Sequence, residues 1–328
     1  MAPSIAGIAS GDAALQLRAG WREDYRRPSI IPYPADNPYS AAKAALGAAL
    51  FFDPVLSGSR TSACVTCHQP SLAWADGLAR GLGDRQQPMD LRSPTLLDVA
   101  WIPLLGWDGK FSNIEAVTFR AIFSEANMDL PVQDALDRLS ASPAYVRRFR
   151  TAFGPGPITQ EKVEQALATY ERGIRSSPAP FDHWVDGDES AVSDAAKRGF
   201  VLFEGKGGCI GCHAGWAFTN YSFQDVGTSD GPYIGRGTLF PSSASLRYAF
   251  KVPTLRDVAL RGPFMHDGSI ETLASVIDLY DRGGIARPSR SPQIRPLGLT
   301  PDEKAELVEF LGTLTGDARQ VMPALSPH

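Results

Sequence analysis

All four cysteines of this 328-residue chain sit in two pentapeptides of one form, Cys64-Val-Thr-Cys67-His68 and Cys209-Ile-Gly-Cys212-His213. Two thiols three positions apart can form thioethers with the two vinyl groups of one porphyrin. The histidine that follows at once is carried under the iron as its proximal ligand. The pattern therefore predicts two covalently attached haem c groups, one held by Cys64, Cys67 and His68 and the other by Cys209, Cys212 and His213. A zinc site of Cys₂His₂ or Cys₄ type would bring its halves closer than the 142 positions between Cys67 and Cys209. A redox dithiol explains neither histidine.

Haem attachment of this kind takes place outside the cytoplasm. Met1-Ala2-Pro3 opens no basic stretch followed by an apolar core, so a periplasmic protein whose export signal has been removed is expected. A side-chain net charge of −4 with no basic stripe argues against a nucleic-acid partner. No apolar run is long enough to span a bilayer.

The two halves repeat. Leu46-Gly47-Ala48-Ala49-Leu50-Phe51 precedes the first pentapeptide as Arg198-Gly199-Phe200-Val201-Leu202-Phe203 precedes the second. Pro94-Thr95-Leu96-Leu97-Asp98-Val99-Ala100 matches Pro253-Thr254-Leu255-Arg256-Asp257-Val258-Ala259, and Trp107-Asp108-Gly109 matches His266-Asp267-Gly268. The interval from Pro94 to Trp107 and from Pro253 to His266 is 13 positions in both. Two copies make a duplicated domain rather than a solenoid.

Helical signals dominate, over residues 41–52, 116–123, 131–139, 144–153, 160–175, 270–281 and 304–314. The first of these stops at Asp53-Pro54, Ser112 to Glu115 reads as a capping box, and Thr300-Pro301-Asp302-Glu303 opens the last helix. Gly316 is the expected stop for it. No run alternates with period two. With 31 glycines and 26 prolines the expectation is an all-α chain of two cytochrome c-like domains with long ordered loops. Ser176-Ser177-Pro178-Ala179-Pro180 breaks the pattern and divides it into residues 1–178 and 179–328.

The ligand on the far side of each iron decides what such a chain does. A six-coordinate haem carries electrons, while a vacant side admits a small molecule. The five histidines are His68, His183, His213, His266 and His328, so none lies between His68 and His183. Met89 and Met128 are the sulfur candidates there, and methionine is more often packing. In the second half Ile270, Leu273, Val276, Ile277 and Tyr280 share one helical face. Tyr280 is then either a core tyrosine with a satisfied hydroxyl or a distal ligand to the second iron. It lies 14 positions after His266, and 14 after Trp107 is Ala121, which cannot coordinate.

Leu50-Phe51-Phe52-Asp53-Pro54, Leu56-Ser57-Gly58, Trp107-Asp108-Gly109, Pro180-Phe181-Asp182, Gly187-Asp188 and Gly262-Pro263-Phe264-Met265-His266-Asp267-Gly268 fall in the order seen in the dihaem cytochrome c peroxidase family. The chain resembles that family from about residue 42 to 315. Tyrosine rather than methionine at position 280, and no histidine in Gly81-Leu82-Gly83-Asp84-Arg85, are similar to its MauG- and MbnH-like branch. The resemblance implies a periplasmic enzyme that uses hydrogen peroxide at an open, His68-ligated haem. A high-valent dihaem state would then oxidise a partner protein, at tryptophan, with Tyr280 as ligand to the second iron.

The resemblance further implies that Trp107 relays charge between the haems; by itself it reads more often as a core tryptophan at a domain junction. Glu125 is the first candidate for the distal acid–base group and Asn127 for an orienting partner, with Gln86 and Gln87 behind them. The family places glutamate before methionine, where Asn127 stands here. Its calcium ligands between the haems would include positions now occupied by Arg92 and Arg261, so calcium is left open. Trp74, Trp101, Trp184 and Trp216 read as packing, although Trp216 could lead electrons to the surface. His266 reads as a neighbour of the second haem rather than an axial ligand, and His183 and His328 have no role. The alternatives are a detoxifying peroxidase reduced by a small redox protein and a pure electron carrier.

Overall fold

Residues 19–317 are described by the computed structural model; His328 and the outer ends of the two expected domains lie outside them. Eleven α-helices run through the described residues. These are α1 (Trp21–Tyr25), α2 (Ala41–Phe52), α3 (Cys64–Cys67), α4 (Ile114–Phe123), α5 (Val132–Ser140), α6 (Pro143–Phe153), α7 (Gln160–Arg172), α8 (Pro180–Val185), α9 (Asp194–Glu204), α10 (Leu273–Arg282) and α11 (Pro301–Gly312). Long loops punctuated by 3₁₀ turns connect them. The chain is predominantly helical. The exception to the all-α expectation is a ribbon of β1 (Phe223–Gln224) paired antiparallel with β2 (Phe250–Lys251), too short to show a period in sequence.

Each half is organised around one helix crossing. A Cβ on Gly47 of α2 would stand 2.0 Å from the Ala166 carbonyl oxygen of α7 and 2.8 Å from Tyr170 Cβ. A Cβ on Gly199 of α9 would stand 2.0 Å from the Glu306 carbonyl oxygen of α11 and 2.8 Å from Phe310 Cβ. Only glycine lets the backbones come this close. The turns after the two pentapeptides agree as well. Thr95 Oγ1 donates to the Ala73 carbonyl at 2.6 Å, and Thr254 Oγ1 to the Ala217 carbonyl at 2.7 Å. Asp98 and Asp257 both adopt left-handed backbone, with φ of 56° and 53°, before the 3₁₀ turns Val99–Trp101 and Val258–Leu260.

Two cores result. One gathers Leu46, Leu50, Phe51, Trp74, Leu167 and Tyr170; the other gathers Phe181, Phe200, Phe203, Phe218, Leu307 and Phe310. The helix α1 departs from a division at residue 178, because Trp21 and Tyr25 are buried in the second core. Arg27 behind it donates to the Ser176 and Ser177 carbonyls. Where helix ends differ from expectation, caps explain it. Asn113, not Ser112, accepts from the Ala116 amide at 2.8 Å, and Glu115 instead pairs with Arg172. Thr272 caps α10, so that helix begins after Ile270. The Thr300–Glu303 capping box is present. Gly316 does not stop α11; it sits against Ser177 and donates to Asp257.

Candidate haem sites

Each pentapeptide turns its histidine inward by one device. His68 Nδ1 lies 3.1 Å from the Trp74 carbonyl oxygen, and His213 Nδ1 lies 2.8 Å from that of Phe218. Trp74 and Phe218 both have positive φ, 60° and 51°, which turns those carbonyls under the rings. A carbonyl only accepts, so Nδ1 carries the proton and Nε2 keeps its lone pair, as an iron ligand requires. Burial lowers both imidazoles below their ordinary value, His213 to about 4, so the neutral, ligating form prevails. The four thiols are not paired into disulfides. Burial pushes all of them up, Cys209 to about 12.

One cavity of about 680 Å³ is lined by both pentapeptides and by Ala121, Trp107 and Tyr280. Arg92, Lys251 and Arg261 are among the cations that line it. Arg92 Nε and Arg261 Nε are buried with no partner among the described residues. Burial lowers Lys251 to about 8 and Arg261 to about 10. These groups fit a cofactor that brings carboxylates, and each haem carries two propionates. The thiol pairs, the oriented imidazoles and the orphaned cations together fit haem c in both halves.

The walls opposite the histidines differ. In the sequence register that matches Trp107 to His266, position 121 on α4 is alanine where position 280 on α10 is tyrosine, and both line the cavity. Burial, with Cys209 and Cys212 adding to it, holds the Tyr280 phenol well above its usual range. No hydrogen bond engages its hydroxyl among the described residues. A phenol so placed becomes an anion only if a metal supplies the positive charge.

The other expected residues fall in varied places. Trp107 is half-buried and donates Nε1 to the Arg92 carbonyl at 2.9 Å, with its own carbonyl accepting from the Lys251 amide at 2.8 Å. Asn127, Gln86, Met89 and Met128 line the cavity. Glu125 is exposed and does not line it, and Gln87 is spent on the Glu125 and Ala126 carbonyls. His266 stacks on Phe250 with ring centroids 3.5 Å apart, and burial lowers it to about 4. His183 is exposed on α8. Trp216 meets Trp101 edge-on at 5.1 Å, a contact between the halves. At the position left open for calcium, Arg92 Nη2 donates to the Arg261 carbonyl at 2.8 Å, so a guanidinium already occupies that oxygen.

Sequence reading missed Glu171. It is 5% exposed, lines the cavity from α7 and accepts from Thr118 Oγ1 at 3.1 Å. The signal was there: Val163, Leu167, Tyr170 and Ile174 form an apolar face, and Glu171 is four positions after Leu167 on it.

A family model described as di-haem cytochrome c peroxidase matches residues 41–190. The methylamine utilization protein MauG of Methylorubrum extorquens is 45% identical, across 96% of this chain and 90% of that one. A cytochrome c551 peroxidase of Nitrosomonas europaea is 31% identical, across 91% of this chain and 87% of that one. The crystal structure of a MauG-like protein associated with microbial copper homeostasis superposes with a TM-score of 0.84 at 28% identity, covering 92% of this chain and 97% of that one. Identity at this level along nearly the whole chain, on a shared helical cytochrome fold, makes this oxidoreductase a member of the di-haem cytochrome c peroxidase and MauG family, with two haem c groups.

Proposed function

We propose that the protein is a periplasmic enzyme that uses hydrogen peroxide at the site of His68 to oxidise a partner protein at tryptophan. The observation that carries this reading is the contrast between Ala121 and Tyr280 at one repeat position. The first half offers no side chain there to close the iron, and the second offers a phenol facing the cavity. Likeness to MauG at 45% identity supports the same reading. No helix among the described residues is long and apolar enough to cross a membrane.

The haem groups, when bound, supply peroxide activation and electron storage. Everything else falls to the chain. Cys64 and Cys67, and Cys209 and Cys212, would fix the two porphyrins; His68 and His213 present Nε2 to them. Tyr280 would give its proton up on ligation. Asn127, on the lining beside Met128, would orient peroxide. Glu125, exposed to solvent, is set aside as the acid. Trp107, bonded to both halves, would carry charge between them. Arg92 takes the place calcium would fill. The matching crossings at Gly47 and Gly199 support a duplication, with α1 assigned to the second domain.

The relatives named as cytochrome c peroxidases support a second reading, in which electrons from a small redox protein reduce peroxide. Electron paramagnetic resonance of the oxidised protein, before and after one equivalent of peroxide, separates the two. One high-spin and one low-spin ferric signal, both lost without prior reduction, support the first. Two low-spin signals, or no reaction until one haem is reduced, would overturn it.

A further inference from the structure

We propose that Glu171 and Thr118 form a proton-holding pair at the first haem site, which takes up a proton when the site gains an electron and releases it when the electron leaves. The proposal deepens the peroxide reading and rests on it for its purpose, though it is tested without peroxide.

The pair is peculiar to one half. The crossing of α2 with α7 aligns with that of α9 with α11 through Ala166 and Tyr170 against Glu306 and Phe310. That alignment sets Leu311 opposite Glu171. The repeat that sets Tyr280 against Ala121 sets Ile277 against Thr118. Ile277 and Leu311 are buried, apolar and line the same cavity. The second half therefore has a dry wall where the first has a hydroxyl donating to a carboxyl. Thr118 is one helical turn before Ala121 on α4, and Glu171, to which it donates, lines the same cavity.

Among the described residues no cation pairs with Glu171. Arg172 turns to Glu115, with guanidinium-to-carboxylate distances of 2.7 and 2.8 Å. Burial raises Glu171 to about 8, against the lowering effects of Thr118 and Arg172 and with Glu115 adding to it. The other titratable groups around it are accounted for. Glu115 on α4 is held by Arg172 and Asn37, and Lys43 on α2 by Asn37. Asp98, before the Val99–Trp101 turn, accepts from Ser176. Burial takes Tyr170 on α7 far above neutrality, and Cys64 on α3 is consumed by thioether formation.

An electron added beside a buried carboxyl raises its proton affinity, because low dielectric leaves the new negative charge uncompensated. The balance is one electron and one proton in, and one electron and one proton out, with solvent as the proton source. Reduction of hydrogen peroxide to two waters consumes two electrons and two protons. A site that stores the two together meets that demand.

The test is an optical potentiometric titration of the holoprotein between about pH 6 and 9, in wild type, Glu171→Gln and Thr118→Val, spanning the carboxyl's raised value. In wild type the first haem's midpoint potential should fall as pH rises through this range. Glu171→Gln, which can still accept from Thr118, should lose that dependence, and the second haem should be unmoved. Thr118→Val should keep the dependence but displace it to higher pH, because a bond favouring the carboxylate is gone. A pH dependence unchanged in Glu171→Gln, or absent in wild type, overturns the proposal. If Glu171→Gln fails to load haem, Thr118→Val decides, and an unshifted profile overturns it. A protein with the linked potential that ignores peroxide sinks the peroxide reading and leaves the pair standing.

Discussion

The Trp107 carbonyl accepts from the Lys251 amide at 2.8 Å while its indole Nε1 donates to the Arg92 carbonyl at 2.9 Å. One residue is thus tied by backbone to the second half's β2 and by side chain to the first half's loop. Trp107→Phe removes only the indole bond, at a cost of about 1 kcal/mol. Both haems should remain bound. One equivalent of peroxide should then change the first haem's spectrum at the native rate and the second's at least about tenfold more slowly, the cost of roughly 1.4 kcal/mol in coupling. Stopped-flow spectra with native rates at both centres would remove Trp107 from the relay.

Tyr280→Phe keeps the ring and removes the only atom able to ligate. The low-spin ferric signal of the second haem should disappear or change type, with the first haem's signal intact. An unchanged low-spin signal would show that another group closes that iron.

Gly199→Ala should be costly. The added Cβ meets the Glu306 backbone carbonyl at 2.0 Å, and backbone cannot turn aside. Overpacking of this kind destabilises by about 1–3 kcal/mol or more. Gly231→Ala, with nothing within 4 Å, is the control and should stay within about 0.5 kcal/mol. Equal denaturation midpoints for the two variants would refute the close crossing.

Asp225 links stability to pH. It accepts from Arg287 at 2.6 and 2.7 Å and from Ser289 at 2.7 Å. Burial raises its carboxyl, but these bonds outweigh burial and hold it below the ordinary 3.8. A depressed carboxyl contributes stability above its unfolded value and loses it as pH falls through the folded one. Asp225→Asn should therefore destabilise by about 1–2 kcal/mol at pH 7, since Arg287 loses its buried carboxylate and keeps only the exposed Asp230 and the Ser229 carbonyl. The gap to wild type should narrow below pH 3.8. A pH-independent gap in urea denaturation would exclude the linkage.

Chelation should do nothing. The Arg261 carbonyl already accepts from Arg92 Nη2 at 2.8 Å, which leaves that oxygen engaged by the chain's own cation. Spectra and midpoint potentials should be the same with and without EDTA. A spectral change reversed by added calcium would show that the guanidinium yields.

The haem motifs and most helices were legible because each is local: thiol spacing, helical period and caps leave their mark within a few residues. Thr300 caps α11 as the sequence suggests. What escaped was tertiary. The burial of Trp21 and Tyr25 in the second core depends on a partner far along the chain. Glu125 is a candidate by its closeness to Met128 in sequence, and Glu171 goes unnoticed, because facing direction is set by packing; one is exposed and the other buried at the cavity. The guanidinium at the Arg261 carbonyl needed coordinates, since no pattern of residues 92 and 261 specifies a hydrogen bond.

The two glycine crossings have a consequence for how such a protein diverges. A side chain at Gly47 or Gly199 collides with main chain, so neither crossing can drift. Change is channelled to the cavity wall, where Ala faces Tyr, Thr–Glu faces Ile–Leu, and Trp faces His at matched addresses. A rigid chassis with a freely rewritten lining lets twin halves specialise into unlike reagents without either one losing its shape.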